Sequence, residues 1–222
     1  MDNEIKVICT QCGAELLPDK ENRIYRCNHC GVAYGSSVLF DRNAAEKARK
    51  SLEIGEFNDA DVWYSCILMR CSYDFDALRG RILCTGKWKS FNDVEDTSAL
   101  STVRIKNVRE RAAEGKIHAW EKDQEYFSLC IKLINTLELL WEKDVKIKPI
   151  KKEWDSFKHL RDAFAGYDFY GQSATYSAAA YTFKDYDRQL KPLLEEREKI
   201  KKTLLHVRQE IIDIENNRGI TQ

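Results

Sequence analysis

Apolar positions along this chain follow two periods, and the change from one to the other falls near residue 40. Before it, two short segments, Ala14–Leu17 and Arg23–Arg26, read as strands joined by a turn over Leu17-Pro18-Asp19-Lys20-Glu21-Asn22. From Asp41 the spacing is helical. Asn43 with Glu46 has the form of a capping box, Ala44, Ala45, Ala48, Leu52 and Ile54 supply the apolar face, and Gly55 stops the run. Asn58 and Asp61 start a second helix, with Val62, Tyr64, Ile67, Leu68 and Cys71 as its face, which breaks at Ser72-Tyr73-Asp74. A third spans Asp76–Cys84 and ends at Thr85-Gly86. Lys87–Thr97 is a polar connector anchored by Trp88 and Phe91.

The second half of the chain reads as longer helices. Leu100, Val103, Val108 and Ala112 mark one that ends near Gly115. The strongest helical signal runs from about Ile117 to Asp144. Phe127, Ile131, Ile134 and Trp141 line one stripe there, and Tyr126, Cys130, Leu133, Leu137 and Leu140 line its neighbour. Two adjacent stripes predict a helix covered over a wide arc. A solvated linker is expected around Pro149, then a helix whose inner face is Trp154, Phe157, Leu160 and Phe164. Gly166–Phe183 is rich in aromatic residues (Tyr167, Phe169, Tyr170, Tyr176, Tyr181) among Gly, Ser and Ala, with Ala178-Ala179-Ala180 suited to close helix approach. The last helix is expected to begin near Pro192. Leu193, Arg197, Ile200, Leu204, Val207, Ile211 and Ile214 then keep a 4-3 spacing with one polar exception, Arg197. Three heptads suffice for a short coiled coil, folded on the same chain or formed between two copies.

Composition narrows the class. The 222 residues carry 36 basic and 36 acidic side chains, so no global field draws the chain to nucleic acid or an anionic membrane. Only three prolines and ten glycines in a chain that is 32% charged favour long helices. No apolar run reaches signal-peptide or membrane-spanning length, and Ser128–Trp141 is interrupted by Lys132, Asn135 and Glu138. The expected location is the cytoplasm, with Cys66, Cys71, Cys84 and Cys130 as reduced, buried cysteines.

The sharpest chemical signal is a pair of Cys-x-x-Cys turns, Cys9-Thr10-Gln11-Cys12-Gly13 and Cys27-Asn28-His29-Cys30-Gly31, separated by fourteen residues. Each turn offers two thiolates, and the glycine after each pair tolerates the positive φ that folds the turn beneath a metal. The spacing is one residue under the usual zinc range. Cys9, Cys12, Cys27 and Cys30 therefore read as ligands of one structural Zn²⁺ in a zinc ribbon, with iron or disulfides as the alternatives. Four thiolates close the coordination sphere, which excludes a catalytic water. About forty residues bury too little apolar surface to fold well alone, so the metal is expected to hold the module together.

Leu52-Glu53-Ile54-Gly55-Glu56-Phe57-Asn58-Asp59-Ala60 with Tyr64, followed by Asp74-Phe75-Asp76-Ala77-Leu78-Arg79-Gly80, resembles a tetratricopeptide-type helical hairpin. Gly55, Ala60 and Tyr64 match its packing positions, while Ser72 and Ile67 depart from its usual proline and alanine. Together with the ribbon, residues 5–85 are similar to bacterial zinc-ribbon proteins with tetratricopeptide-like helices. The resemblance implies a protein-binding module. The expected fold is mainly α with a small N-terminal β zinc ribbon, a tetratricopeptide-like hairpin, a helical bundle and a C-terminal coiled-coil-like helix. The expected divisions are residues 1–40, 41–86, 87–186 and 187–222.

The resulting functional expectation is a non-enzymatic adaptor that binds another protein, with a homodimer through the C-terminal helix as a further option. No glycine-rich phosphate loop, nucleophile elbow or H-E-x-x-H motif is present, and His118, His159 and His206 each stand alone. The alternative is a nucleic-acid-associated regulator. Its support is the ribbon and the stretch 143–161, where seven basic residues (Lys143, Lys146, Lys148, Lys151, Lys152, Lys158, Arg161) outnumber three acidic ones (Asp144, Glu153, Asp155) around Trp154 and Phe157. Against it, residues 1–40 carry four basic and five acidic side chains, no face for phosphates.

Overall fold

The computed structural model describes residues 6–95, 97–98, 100–164 and 173–220, and the side chains of these residues except 157–184 and 187. The expected inner-face residues Phe157, Leu160 and Phe164 and the aromatic side chains of Gly166–Phe183 lie outside that description. The chain is mostly helical, with one small N-terminal sheet. Strands β1 (Leu16–Asp19), β2 (Ile24–Cys27) and β3 (Ala33–Gly35) are antiparallel in the order β1-β2-β3, with Leu16 opposite Cys27 and Arg26 opposite Ala33. Pro18 sits in the edge strand, where its missing N–H costs no ladder bond. The Asp19 carboxylate accepts from the Asn22 backbone and side chain, holding the β1–β2 turn in which Arg23 takes φ +53°.

A short helix α1 (Ser36–Leu39) leads to α2 (Ala44–Ile54), α3 (Phe57–Arg70) and α4 (Phe75–Gly86). Gly55 closes α2 at φ +88°: its N–H donates to the Leu52 carbonyl and the Glu56 N–H to that of Ser51, a Schellman ending. Ala60, Tyr64, Ile67 and Leu68 of α3 are buried as the spacing predicts, whereas Val62, on the opposite face, is exposed. Helix α4 is buried nearly all round. A Cβ at Gly80 would come within 2.3 Å of the Tyr64 ring, so only glycine permits this α3–α4 approach. Helix α4 ends in the same hydrogen-bond pattern as α2, but with Lys87 at φ +61° in the glycine position.

Several expectations change. Asn43 stands at the start of α2 without capping it by its side chain; the Asp41 carboxylate instead accepts from the Asn43 N–H and from Lys47. Cys71 is half-buried, while Cys66, Cys84 and Cys130 are buried. Helix α5 (Thr102–His118) extends past Gly115, and Ile54, Val103 and Ile117 are exposed. The strong helix starts at Gln124, not Ile117, because the chain turns through Ala119 and a 3-10 turn, Glu121–Asp123, first. That reversal lets Gly115 lie against the Phe127 ring. The prolines do not bound helices either. Helix α6 (Gln124–Phe164) runs through Pro149, and α7 (Ser173–Asn217) runs through Pro192. Each proline removes one ladder hydrogen bond, but apolar positions continue on both sides of it and tertiary pairing carries the helix across.

The chain divides into two compact units. One comprises residues 1–96, 100–134 and 207–222; the other, 97–99 and 135–206. Two of the boundaries, after Ile134 and after His206, therefore fall inside α6 and α7, while the other two flank 97–99 in the connector before α5. In the second unit α6 and α7 are antiparallel partners. Lys143 pairs with Glu196, Asp144 with Arg197, and the Tyr186 hydroxyl donates to Glu153 at 2.9 Å. Asp144 also accepts from the Thr97 hydroxyl. The one polar exception in the heptad run is thus half of an ion pair.

In the first unit, Leu133 and Ile134 of α6 and Ile105, Val108 and Ala112 of α5 are buried, as is most of α4. The C-terminal part of α7 buries Val207 and Ile211, and it places Glu215 beneath the surface with no exposed area. The Glu215 carboxylate accepts two hydrogen bonds from Arg79 of α4, one of them at 3.0 Å, and another from the Tyr126 hydroxyl at 2.5 Å. Arg81 reaches Asp61 at 3.1 Å and Glu114 at 3.2 Å, tying α4 to α3 and α5. Glu215→Ala strands the Arg79 guanidinium without its carboxylate, and urea denaturation is expected to show a loss of about 3–5 kcal/mol. Lys87→Gly relieves the left-handed residue and is expected to raise the unfolding free energy by about 0.5–1 kcal/mol, read as a higher urea midpoint at constant slope. Part of that gain is offset by the lost Lys87–Asn58 hydrogen bond.

Candidate metal centre

The two Cys-x-x-Cys turns fold identically. In the first, the Cys9 N–H donates to the Ala14 carbonyl and the Gly13 N–H to that of Cys9; in the second, Cys27 and Val32, then Gly31 and Cys27, repeat the pattern at 2.8–2.9 Å. Gly13 and Gly31 adopt φ +74° and +78°. These are the conformations for which the glycines were singled out, and a side chain there would be strained. The Ile8–Glu15 bridge extends the first turn, while β2 ends on Cys27.

The turns bring Cys9, Cys12, Cys27 and Cys30 together with all four sulfurs within 4.8 Å of one another. The closest approaches cross between the turns, Cys9–Cys30 at 3.6 Å and Cys12–Cys27 at 3.4 Å. A disulfide needs about 2.05 Å, and all eight cysteines are free. A tetrahedron of sulfurs about 2.3 Å from a central zinc has edges of about 3.8 Å, so the observed spacing fits a four-thiolate metal centre. Cys9 and Cys27 are buried and Cys30 is exposed. His29, between Cys27 and Cys30, is also exposed.

The thiols differ electrostatically. The Cys30 amide is the chief influence on Cys27, and with the His29 amide it outweighs burial and brings that thiol down to about 6. At Cys12 the Ala14 amide pulls the other way but is outweighed by burial and the three neighbouring sulfurs, which push it up to about 12. Cys30 is also raised: the Val32 amide lowers it, and burial with Cys27 and Cys9 more than compensates. Tyr34 on β3 is raised by burial, opposed by a hydrogen bond with Thr10 and reinforced by the nearby Cys9 and Cys30 sulfurs.

The centre is not tethered on a flexible stalk. Val7, Cys9, Leu16, Cys27 and Leu39 form one apolar cluster with Cys66 and Met69 of α3, and the Ile8 N–H donates to the Met69 carbonyl at 3.1 Å. Cys66 and Met69 are the supporting residues that sequence reading missed. Cys66 was expected only as a reduced, buried cysteine, and neither residue belonged to the predicted face of Val62, Tyr64, Ile67, Leu68 and Cys71.

The other candidates disperse. On α6, Lys146, Lys148, Lys151 and Lys152 are exposed, whereas Trp154 is half-buried and shares a helix face with Ile147 and Ile150. Lys143 is engaged by Glu196, and the side chains of Phe157, Lys158 and Arg161 lie outside the description. His118 and His206 are exposed; the His159 side chain is likewise undescribed. Among the described residues no helix is long and apolar enough to cross a membrane. No protein-family model, curated protein or solved structure matches the chain.

Cys12 and Cys30 hold protons at neutral pH when no metal competes, so binding must release at least these two. Affinity for zinc or cobalt(II), followed by competition with a chelator, is expected to fall at least about a hundredfold per unit as pH drops from 8 to 7. Below about pH 6 the Cys27 proton joins and steepens the loss.

Proposed function

We propose that the protein is a non-enzymatic zinc-binding adaptor whose ribbon braces a helical protein-binding surface. The observation that carries this reading is the apolar cluster shared by two metal-site cysteines, Cys9 and Cys27, and helix α3. A metal there reinforces the packing of α3 as well as the ribbon. Four thiolates suit Zn²⁺, and their closed tetrahedron leaves no position for substrate, in keeping with a structural role. Iron is the competing occupant of the same ligand set.

The helical part supports a tetratricopeptide-like hairpin through particular contacts. Gly55 turns α2 into α3, buried Ala60 permits close packing, and Tyr64 lies over Gly80 of α4. In this reading α2–α4 present a groove to another protein. The cytoplasm suits a chain with four sulfurs at a metal site and buried thiols at Cys66, Cys84 and Cys130. Dimerisation through the C-terminal stripe is the weaker partner option, because Leu204, Val207 and Ile211 are already buried within one chain.

Affinity purification of the tagged protein from its native host, with and without nuclease, tests the reading. A protein partner retained after nuclease treatment is the expected result. Recovery that collapses with nuclease transfers the function to nucleic-acid association through the exposed lysines of α6.

A further inference from the structure

The α6–α7 pair of the second unit has two unlike flanks. Lys143 and Glu196 close the first flank with an ion pair. At 100° per residue, Trp141 and Val145 lie on the side of α6 away from Lys143, and Leu194 lies on the side of α7 away from Glu196. Because α6 and α7 are antiparallel with Asp144 opposite Arg197, these three apolar side chains share the second flank over about 9 Å, less than two helical turns. Val145 is 52% and Leu194 40% exposed, and Trp141 is half-buried. Lys148 and Lys152 follow on the α6 side of this flank, and Lys201 stands on the α7 side at the other end. None of the three lysines has an ion pair among the described residues.

An aromatic and two aliphatic side chains in one strip, bordered by these three lysines against one exposed acid, Glu142 (Glu198 beside Leu194 is already paired with Arg197), match an amphipathic helix whose apolar edge is bordered by carboxylates. Phosphates would gain from the lysines but would leave Val145 and Leu194 against a charged backbone. We infer that this flank is the docking surface for an acidic amphipathic helix of a partner protein. The inference rests on the adaptor reading and moves the contact from the α2–α4 groove to the second unit.

The test uses the full-length, metal-loaded protein and three labelled probes followed by fluorescence anisotropy. These are a helical peptide with leucines at i, i+3, i+4 and i+7 and glutamates elsewhere, its lysine counterpart, and an oligothymidylate. The glutamate peptide is expected to bind, to weaken about tenfold or more in V145D/L194D, and to weaken as salt rises. Glu196→Gln, on the opposite flank, should leave it unchanged. Far-ultraviolet circular dichroism of V145D/L194D matching the parent shows that the fold is retained. The inference is overturned by equal binding of the lysine peptide, by no peptide binding, or by an unaffected double variant. Oligothymidylate binding that V145D/L194D abolishes overturns it in favour of single-stranded nucleic acid. If V145D/L194D still recovers the protein partner in affinity purification, the flank is wrong and the adaptor reading stands. If even the parent chain recovers no protein partner, the adaptor reading itself fails.

Discussion

A carboxylate with no exposed surface can exist only where strong donors surround it, and Glu215 imposes that constraint on the first unit. Arg79 supplies a two-pronged hydrogen bond and Tyr126 a third, so α4, α6 and α7 must meet at one point. The geometry is directional, unlike the apolar packing around it. Leu, Ile and Val on these helices tolerate several rotations or offsets of one helix on another; the Arg79–Glu215–Tyr126 cluster fits only one. Burial alone would lower the basicity of Arg79, yet Glu215 more than restores it, and the guanidinium stays charged.

The same device recurs along α6 and α7 with less burial. Arg218 pairs with Asp123 near the start of α6 while stacking over Phe75, and Arg197 pairs with Asp144 farther along. Each polar pair sets the antiparallel offset of an otherwise permissive apolar seam, as single polar layers do in coiled coils. Within the second unit, Asp144–Arg197 and Glu153–Tyr186 lie on opposite sides of Pro149 and Pro192, so together they hold the two helices in one offset across both prolines.

The four-cysteine cluster was legible in the sequence because its geometry is local: two short turns, each with its glycine, dictate where four sulfurs go. Helix faces were legible where period and burial coincide, as at Ala60, Tyr64 and Ile67, and the heptad run of α7 was visible down to its odd arginine. Asp144 was not recognisable as the partner of Arg197, since pairing between residues 53 apart leaves no periodic trace. Glu215 was hidden for a related reason. It lies beside Ile211 and Ile214 and reads as an ordinary charged position until α4 is laid against it. Proline was over-read as punctuation, because its local cost is smaller than what two long packed helices gain by continuing. The docking of the ribbon on α3 was out of reach as well, since Cys66 and Met69 look like any buried residues.

The division of the first unit has a consequence for how the molecule comes into being. Its core draws on residues 1–96 and 100–134, but it also requires 207–222, which a ribosome produces only after all of 135–206. Through that interval the nascent chain holds the Arg79 guanidinium and the Tyr126 hydroxyl with no carboxylate to receive them. The ribbon and α2–α4 are made early and rely on contacts near in sequence, so they can assemble while translation continues. Closure of the unit waits for Glu215. The N-terminal half is thus an open scaffold during synthesis, and completion of the fold is a late check that the C-terminal segment has arrived intact.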